Sequence, residues 1–387
     1  MKKILSLFLC LFIVAMPMCV SVSAAGEIPE GVKAKSVVLM DQSTGQVLLK
    51  QNENEKLYPA SVTKIMSLLL VMEAIDGNKI RLTDTVTTST EAASKGGSQI
   101  WLKEGETMTV DDLLKATAVY SANDACTALG EYVAGSNDGF VTMMNERARE
   151  LGMKNTHFDN CTGLDDESQT HLTTAYDIAL MSRELMKHSL IKEYTTIWMD
   201  SLRDGKTELV NTNKLIRFYS GATGLKTGTT SKAGCCISAT ATREGTSLIA
   251  VVMGASNSTD RFETAKSLLN WGFANYSTVT PNVDKKLITD VNVLKGEERI
   301  LTPQIVSVPS VLVKKGREMD IKQNFELTTS VEAPVESNQT LGKVKFLLDG
   351  KVIGECRLTA PHYVEKLTLS AVFCRMLGAL CKKSAIK

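Results

Sequence analysis

The sequence predicts a mixed α/β protein of the α+β kind, with a helix-rich region set among strand-like runs and an all-β domain behind it. Three observations carry that expectation. A hairpin pattern over 36–52 leads straight into an apolar helical run from 61 to 76. Further helical patterns fill 109–187, and two β runs, Cys236 to Thr242 and Ser247 to Gly254, precede one more helix, Arg261 to Phe273. From about residue 284 the period changes to short β-type runs separated by turns.

The first 25 residues stand apart from this plan. Lys2 and Lys3 lead an apolar run from Ile4 to Val20, followed by Ser21-Val22-Ser23-Ala24-Ala25, the layout of a secretory signal peptide cleaved after Ala24 or Ala25. An uncleaved membrane anchor is the other reading of the same residues. The remaining chain, of 387 residues in all, has room for two or three domains. Without Lys2 and Lys3 the charge balance moves from 44 basic and 43 acidic residues to 42 and 43, which offers no electrostatic footprint for nucleic acid. Beyond the leader lie Cys126, Cys161, Cys235, Cys236, Cys356, Cys374 and Cys381, an odd set without CxxC or Cys/His metal spacing. They read as small apolar fillers, and neither a metal nor a cofactor is expected.

The hairpin is built from Val37, Val38, Leu39 and Met40, a turn over Asp41–Gly45, then Val47, Leu48 and Leu49. Pro59 closes off the stretch before it. Ile65, Met66, Leu68, Leu69, Leu70, Met72 and Ile75 then mark a buried helix that Gly77 ends, with Ser61 in its first turn. Residues three apart share a helix face, so the Ser61 hydroxyl and the Lys64 amine can meet. Free N–H groups of a first turn suit an oxyanion, and a lysine in an apolar helix is desolvated towards use as a base. A helix-start serine with a snorkelling lysine is the bland alternative. Ser189-Leu190-Ile191-Lys192 repeats the spacing but opens no apolar helix, and it reads as loop.

Residues 81–108 are polar with short strand-like pieces and a Gly96-Gly97-Ser98 loop able to border a cleft. Thr109-Val110-Asp111-Asp112 caps a helix that breaks at Ser121-Ala122-Asn123-Asp124, before helical runs from Ala125 to Val133 and Phe140 to Leu151. Ser121 and Asn123 therefore lie on a helix-to-helix connection, where they are either aimed polar groups or ordinary turn residues. Thr174-Ala175-Tyr176-Asp177 caps a further helix, and His157 and His171 precede it as loop or capping residues without metal-ligand spacing. Lys226-Thr227-Gly228-Thr229 falls on or beside an edge strand. Lysine and threonine there make a seat for a carboxylate, and Gly228 lets a substrate backbone come close. Arg261 can add a fork-shaped contact to an anion.

The all-β region runs through Lys286 to Val293, Ile300 to Val313, Ile321 to Leu327, and a last hairpin around Asp349-Gly350. It carries no catalytic constellation. The tail from Leu367 to Cys381 is apolar apart from Arg375 and is followed by Lys382 and Lys383. It is too short to span a bilayer and fits an interfacial helix, the alternative being a helix docked on its own protein.

Taken together, Ser61-Val62-Thr63-Lys64, Ser121-Ala122-Asn123 and Lys226-Thr227-Gly228 form the ordered set S-x-x-K, S-x-N, K-T-G of penicillin-binding proteins and serine β-lactamases. Residues from about 33 to 275, notably Tyr58 to Met66, Ser121 to Ala125, Lys154 to Asp165 and Gly224 to Gly234, resemble the D-alanyl-D-alanine carboxypeptidases of the low-molecular-weight penicillin-binding class. The β region and the tail resemble that family's C-terminal domain and membrane anchor. The resemblance implies an antiparallel sheet flanked by helices, and a layout of leader 1–25, catalytic domain 26–283, β domain 284–360 and amphipathic helix 361–387. It implies Ser61 as nucleophile, Lys64 as base and Ser121 as proton relay, with Asn123 orienting the substrate amide. Lys226 would set the electrostatics of the cleft, Thr227 and Thr229 with Arg261 would hold the terminal carboxylate, and N–H groups of Ser61 and Thr229 would form the oxyanion hole. The implied partners are a peptidoglycan stem peptide ending in D-Ala-D-Ala, β-lactams as covalent inhibitors, and the outer face of the cytoplasmic membrane. A serine β-lactamase and a non-catalytic wall-binding scaffold are the rivals. No Glu-x-x-Leu-Asn follows Asn123 before Lys226, which speaks against the first. Cys235-Cys236 departs from the apolar strand residues expected at that place.

Overall fold

The computed structural model describes residues 28–165 and 169–373. The leader, and the tail beyond residue 373 with Cys374 and Cys381, lie outside the described residues.

A five-stranded sheet carries the fold, its strands in the order Val47–Gln51, Ser36–Asp41, Thr246–Ala255, Gly234–Arg243, Ala222–Thr230. Each neighbouring pair is antiparallel. Because side chains alternate across a strand, Val37 and Leu39 enter one core with Phe262 and Leu268 of the Ser258–Asn275 helix. Val38 and Met40 enter a second, larger core with the remaining helices. Both faces of the sheet are thus covered, and the first strand is buried along its whole length.

At the centre of the larger core lies the Lys64–Asp76 helix, buried at Ile65, Met66, Leu68, Leu69, Leu70, Val71 and Met72 and capped at Gly77. Its apolar surface runs nearly all round, as a helix enclosed by other helices requires. Val110–Lys115, Asn123–Ala134, Asn137–Glu150 and Ala175–Leu185 surround it. The expected caps form: the hydroxyls of Thr109 and Thr174 accept from the backbone N–H groups of Asp112 and Asp177.

Local structure differs from expectation at three places. The helical run from 61 opens as a 3-10 turn over Ala60–Thr63, so Ser61 sits on the tighter turn and Lys64 begins the α-helix. Between the short strands Thr85–Thr87 and Thr107–Thr109 stands a one-turn helix, Thr90–Ala93, capped by Ser89. The Ser189–Lys192 stretch is not simply loop, because Ile191–Thr195 forms a short helix around buried Ile191 and Tyr194. Ser189 and Lys192 are exposed there, so the second S-x-x-K builds no site.

β structure resumes at Tyr276–Val279, which pairs with Val311–Lys314. A three-stranded sheet follows from Ile300–Leu301, Val291–Leu294 and Ser330–Glu332, and a four-stranded one from Gln304–Ile305, Lys351–Thr359, Thr340–Leu348 and Lys322–Leu327. Two small cores, one around Val291 and Val335 and one around Phe346 and Leu358, hold them. Among the described residues no helix is long and apolar enough to cross a membrane.

Candidate active site

Ser61 is placed by a turn that the chain strains to make. Ala60, immediately before it, has φ +49°, and Gly163 packs so closely that a Cβ there would stand 1.9 Å from the Ala60 carbonyl oxygen. Glycine is required at 163 by that approach and by its φ of +87°. Lys64 is fully buried, and its Nζ lies 2.9 Å from Ser61 Oγ, 2.5 Å from Asn123 Oδ1 and 2.8 Å from the Thr162 carbonyl oxygen. Burial pulls the amine down from 10.5 to about 8, although Cys126, Cys161 and Asp124 nearby oppose the shift. When neutral, the amine gives its two N–H bonds to Asn123 and Thr162. Its lone pair is then left for the Ser61 hydroxyl proton, the arrangement a general base needs.

The second motif is set by an irregular helix end. Val110–Lys115 continues as a π-helical turn over Ala116–Tyr120, and the chain escapes through Ser121 in the left-handed region, φ +68°. Widened turns of this kind redirect a side chain out of a packed layer. Asn123 then opens the next helix. Its side-chain amide spans the site, accepting from Lys64 through Oδ1 and donating from Nδ2 to Gly96 O at 2.7 Å. Its backbone N–H reaches Ser98 O at 2.6 Å, so the Gly96–Ser98 loop does border the cleft. Asp124, also buried, accepts from the N–H groups of Ile100 and Leu102 and fastens the rest of that loop.

Lys226, Thr227, Gly228 and Thr229 occupy the edge strand, as the third motif requires. Lys226 is buried, its Nζ donating to Thr227 O at 2.9 Å, and its amine is held well below the ordinary range by burial and by the charges of Lys64 and Arg261. Thr227 donates to Thr212 Oγ1 at 2.7 Å. Gly228 is glycine for a reason other than substrate approach. A Cβ on it would lie 2.8 Å from Ser61 N and 2.9 Å from both Ala60 Cβ and Pro59 O. The edge strand is therefore pressed directly against the serine turn. Arg261, in the first turn of its helix, donates through NH1 to Thr229 Oγ1 at 3.0 Å and to the carbonyls of Gly228 and Cys236, while its Nε is buried without a partner. Burial lowers its pKa as well. The amines of Lys64 and Lys226 and the Arg261 guanidinium thus lie close enough to act on one another, and the guanidinium is the cation that favours an anionic ligand.

Sequence reasoning missed several contributors. Thr162 acts through a backbone carbonyl, which no residue type advertises. His171, read as a loop residue, is buried under the serine turn: its Nδ1 accepts from Asp159 N at 3.0 Å, and Nε2 lies 2.8 Å from Thr63 Oγ1. Since Nδ1 accepts, Nε2 carries the proton and donates to Thr63, which donates in turn to Ala60 O at 2.8 Å. His157 is exposed and lies 3.0 Å from Asp159. Cys235 and Cys236 are buried free thiols at the start of the Gly234–Arg243 strand, opposite Thr229 and Gly228 of the edge strand, with Cys235 Sγ 3.8 Å from Thr229 Oγ1.

A serine whose base is a desolvated lysine, faced by a second buried lysine on an edge strand, defines a serine hydrolase of the penicillin-binding class. Residues 21–257 match the family model for D-alanyl-D-alanine carboxypeptidase, and residues 276–366 match the model for the C-terminal domain of penicillin-binding protein 5. The D-alanyl-D-alanine carboxypeptidase DacF of Bacillus subtilis is 42% identical over 350 residues, covering 89% of this chain and 90% of that one. Penicillin-binding protein 5 from Haemophilus influenzae superposes with a TM-score of 0.74 at 31% identity, over 88% of this chain and 100% of its own. Penicillin-binding protein D2 from Listeria monocytogenes, solved in an ampicillin-bound form, gives 0.57 at 31% identity over 62% of this chain and 97% of its own. The chain belongs to the D-alanyl-D-alanine carboxypeptidase family of serine hydrolases.

Proposed function

We propose that this carboxypeptidase removes the terminal D-alanine from peptidoglycan pentapeptides through an acyl-enzyme on Ser61. The contact of 2.9 Å between Nζ of the fully buried Lys64 and Oγ of the partly exposed Ser61 is the observation that carries it. Neutral Lys64 takes the Ser61 proton as Oγ attacks the carbonyl between the two D-alanines, and backbone N–H groups of Ser61 and Thr229 receive the oxyanion. Ser121 passes a proton to the leaving amine, the last D-alanine departs, and water then hydrolyses the ester. Thr227 and Thr229, with Arg261 behind them, hold the terminal carboxylate, and Lys226 sets the electrostatics of the cleft. Asn123, already bonded to Lys64 and Gly96, orients both the base and the substrate amide.

A β-lactam presents the same acyl centre and would leave a long-lived ester on Ser61. The Listeria relative solved with ampicillin makes the same chemistry expected here. A leader 1–25, a catalytic domain 26–283, a β domain 284–360 and an amphipathic tail 361–387 support a location outside the cell, against the outer face of the cytoplasmic membrane. Nucleic acid has no role in this scheme.

The test is incubation of the purified protein with a D-Ala-D-Ala pentapeptide, read by mass spectrometry, beside labelling with a fluorescent penicillin. Loss of one D-alanine and a stable adduct, both absent in Ser61→Ala, are the expected results. Rapid release of the label would instead mark a β-lactamase, and no label at all a scaffold.

A further inference from the structure

Trp101 holds an unfavourable place twice over. It is 74% exposed, and its backbone has φ +60°, a region that bulky side chains rarely enter. The neighbours on either side explain how it is kept there: Ile100 and Leu102 are buried, and their N–H groups are held by the Asp124 carboxylate at 3.1 and 3.0 Å. The indole is thus driven outwards by a rigid loop. Strain that the surroundings enforce at an exposed aromatic ring points to a use for that ring.

Opposite it stands a second left-handed residue. Arg203, φ +55°, starts the turn of the hairpin formed by Met199–Leu202 and Thr207–Val210. Its guanidinium joins hairpin to loop, through Nε to Glu106 at 2.8 Å and through NH1 to Ile100 O at 2.8 Å and Thr207 Oγ1 at 2.9 Å. Its NH2 is buried with no partner. Between the two walls lies a cleft of about 730 Å3 whose lining includes Trp101, Lys103, Glu104, Arg203 and Lys206.

We propose that this cleft is a carbohydrate subsite, in which an N-acetylated hexosamine ring of the glycan strand stacks on Trp101. The inference rests on the reading of the substrate as a peptidoglycan stem peptide, which is joined to such sugars. Cations and carboxylates are mixed along the cleft, which suits a neutral polyhydroxyl ligand that both donates and accepts, and suits a polyanion poorly. One flat exposed indole beside polar groups is the pairing that the apolar face and hydroxyl rim of a pyranose require. The same loop binds Asn123 through Gly96 O and Ser98 O, so a sugar held at Trp101 is registered against the residue that touches Lys64. The four stem residues on the sugar side of the scissile bond reach at most about 14 Å when extended, so the sugar binds near the catalytic cleft.

The test compares the full-length protein with Trp101→Gly, which deletes the ring and suits the left-handed backbone, so the variant keeps its fold. Calorimetric titration with the tetrasaccharide of N-acetylglucosamine should show saturable binding that falls about tenfold or more in the variant, the scale of one aromatic contact. No saturable binding to the wild type, or binding unchanged in Trp101→Gly, overturns the subsite. This readout needs no turnover, so it stands even if the peptidase reading fails. In turnover, kcat/KM for a disaccharide-pentapeptide should exceed that for the free pentapeptide, and Trp101→Gly should erase the difference while free-peptide cleavage and penicillin labelling persist. Equal rates on both peptides in the wild type would count against the subsite, and so would a variant that loses both activities together.

Discussion

Gly228 touches the Ser61 turn so closely that the hydrogen in place of its side chain is what lets the edge strand and the nucleophile share one site. All three atoms a Cβ would meet, Ser61 N, Ala60 Cβ and Pro59 O, belong to a rigid turn and have no flexible end to give way. Gly228→Ala should therefore push strand and turn apart. A loss of about 1–3 kcal/mol in unfolding free energy is expected from overpacking of this kind. Displacement of the nucleophile by up to about 1 Å should slow penicillin acylation by up to about a hundredfold. Acylation at the wild-type rate would refute the account.

Lys64 supplies the second prediction, with its sign fixed by burial. The neutral amine is the base, and its value is pulled down to about 8. Acylation kcat/KM should thus climb about tenfold per pH unit on the acid side and level off above pH 8. The stability linkage runs the same way. Between 8 and 10.5 the unfolded chain holds the proton that the folded one has lost, so raising the pH through that window favours the fold. Relative to Lys64→Met, the wild type should gain about 3 kcal/mol across it, measured by denaturant unfolding. A flat difference would show that burial does not set the amine.

Much of this site is legible in sequence because its parts are local. The 3.6-residue period marks the Lys64–Asp76 helix, apolar β-type runs mark the strands, and the three motifs sit on or beside the elements expected of them. The contributors that leave no such mark act at long range or through the backbone. Thr162 reaches Lys64 by a carbonyl 98 residues away, and His171 reaches Thr63 across 108. The π-helical turn before Ser121 has no signature in its residues Ala116–Tyr120. Gly228 reads from sequence as a place of close approach, but only the folded packing shows that the approaching group is the protein's own turn.

Arg261 separates charge from geometry. Its guanidinium donates from NH1 to Gly228 O and Thr229 Oγ1 and from NH2 to Ser258 Oγ, a spread over two nitrogens that an ammonium group cannot reproduce. Arg261→Lys should raise KM for a carboxylate-ended peptide by about tenfold while leaving a C-terminally amidated peptide unaffected. Steady-state kinetics on the matched pair decides it. An equal effect on both would mean that the arginine only props the strand.

His171 gives a prediction in the acid range. Burial lowers the imidazole from 6.5 to about 4, and the ring works as a neutral strut, passing a hydrogen bond through Thr63 to Ala60 O beside the nucleophile. As pH falls, the unfolded chain takes up this proton before the folded one does. The stabilisation is fully present above 6.5 and is lost progressively as pH drops towards 4. By pH 5 the loss should reach about 2 kcal/mol, and His171→Gln, which cannot titrate, should not share it. Denaturant unfolding of both proteins at pH 7 and pH 5 measures the difference. The same variant should acylate more slowly with KM unchanged, because the strut aims Ser61 without touching substrate. An identical acid slope in the two proteins would mean that His171 is protonated as readily inside the fold as outside it, and that the turn beneath Ser61 is held by something else.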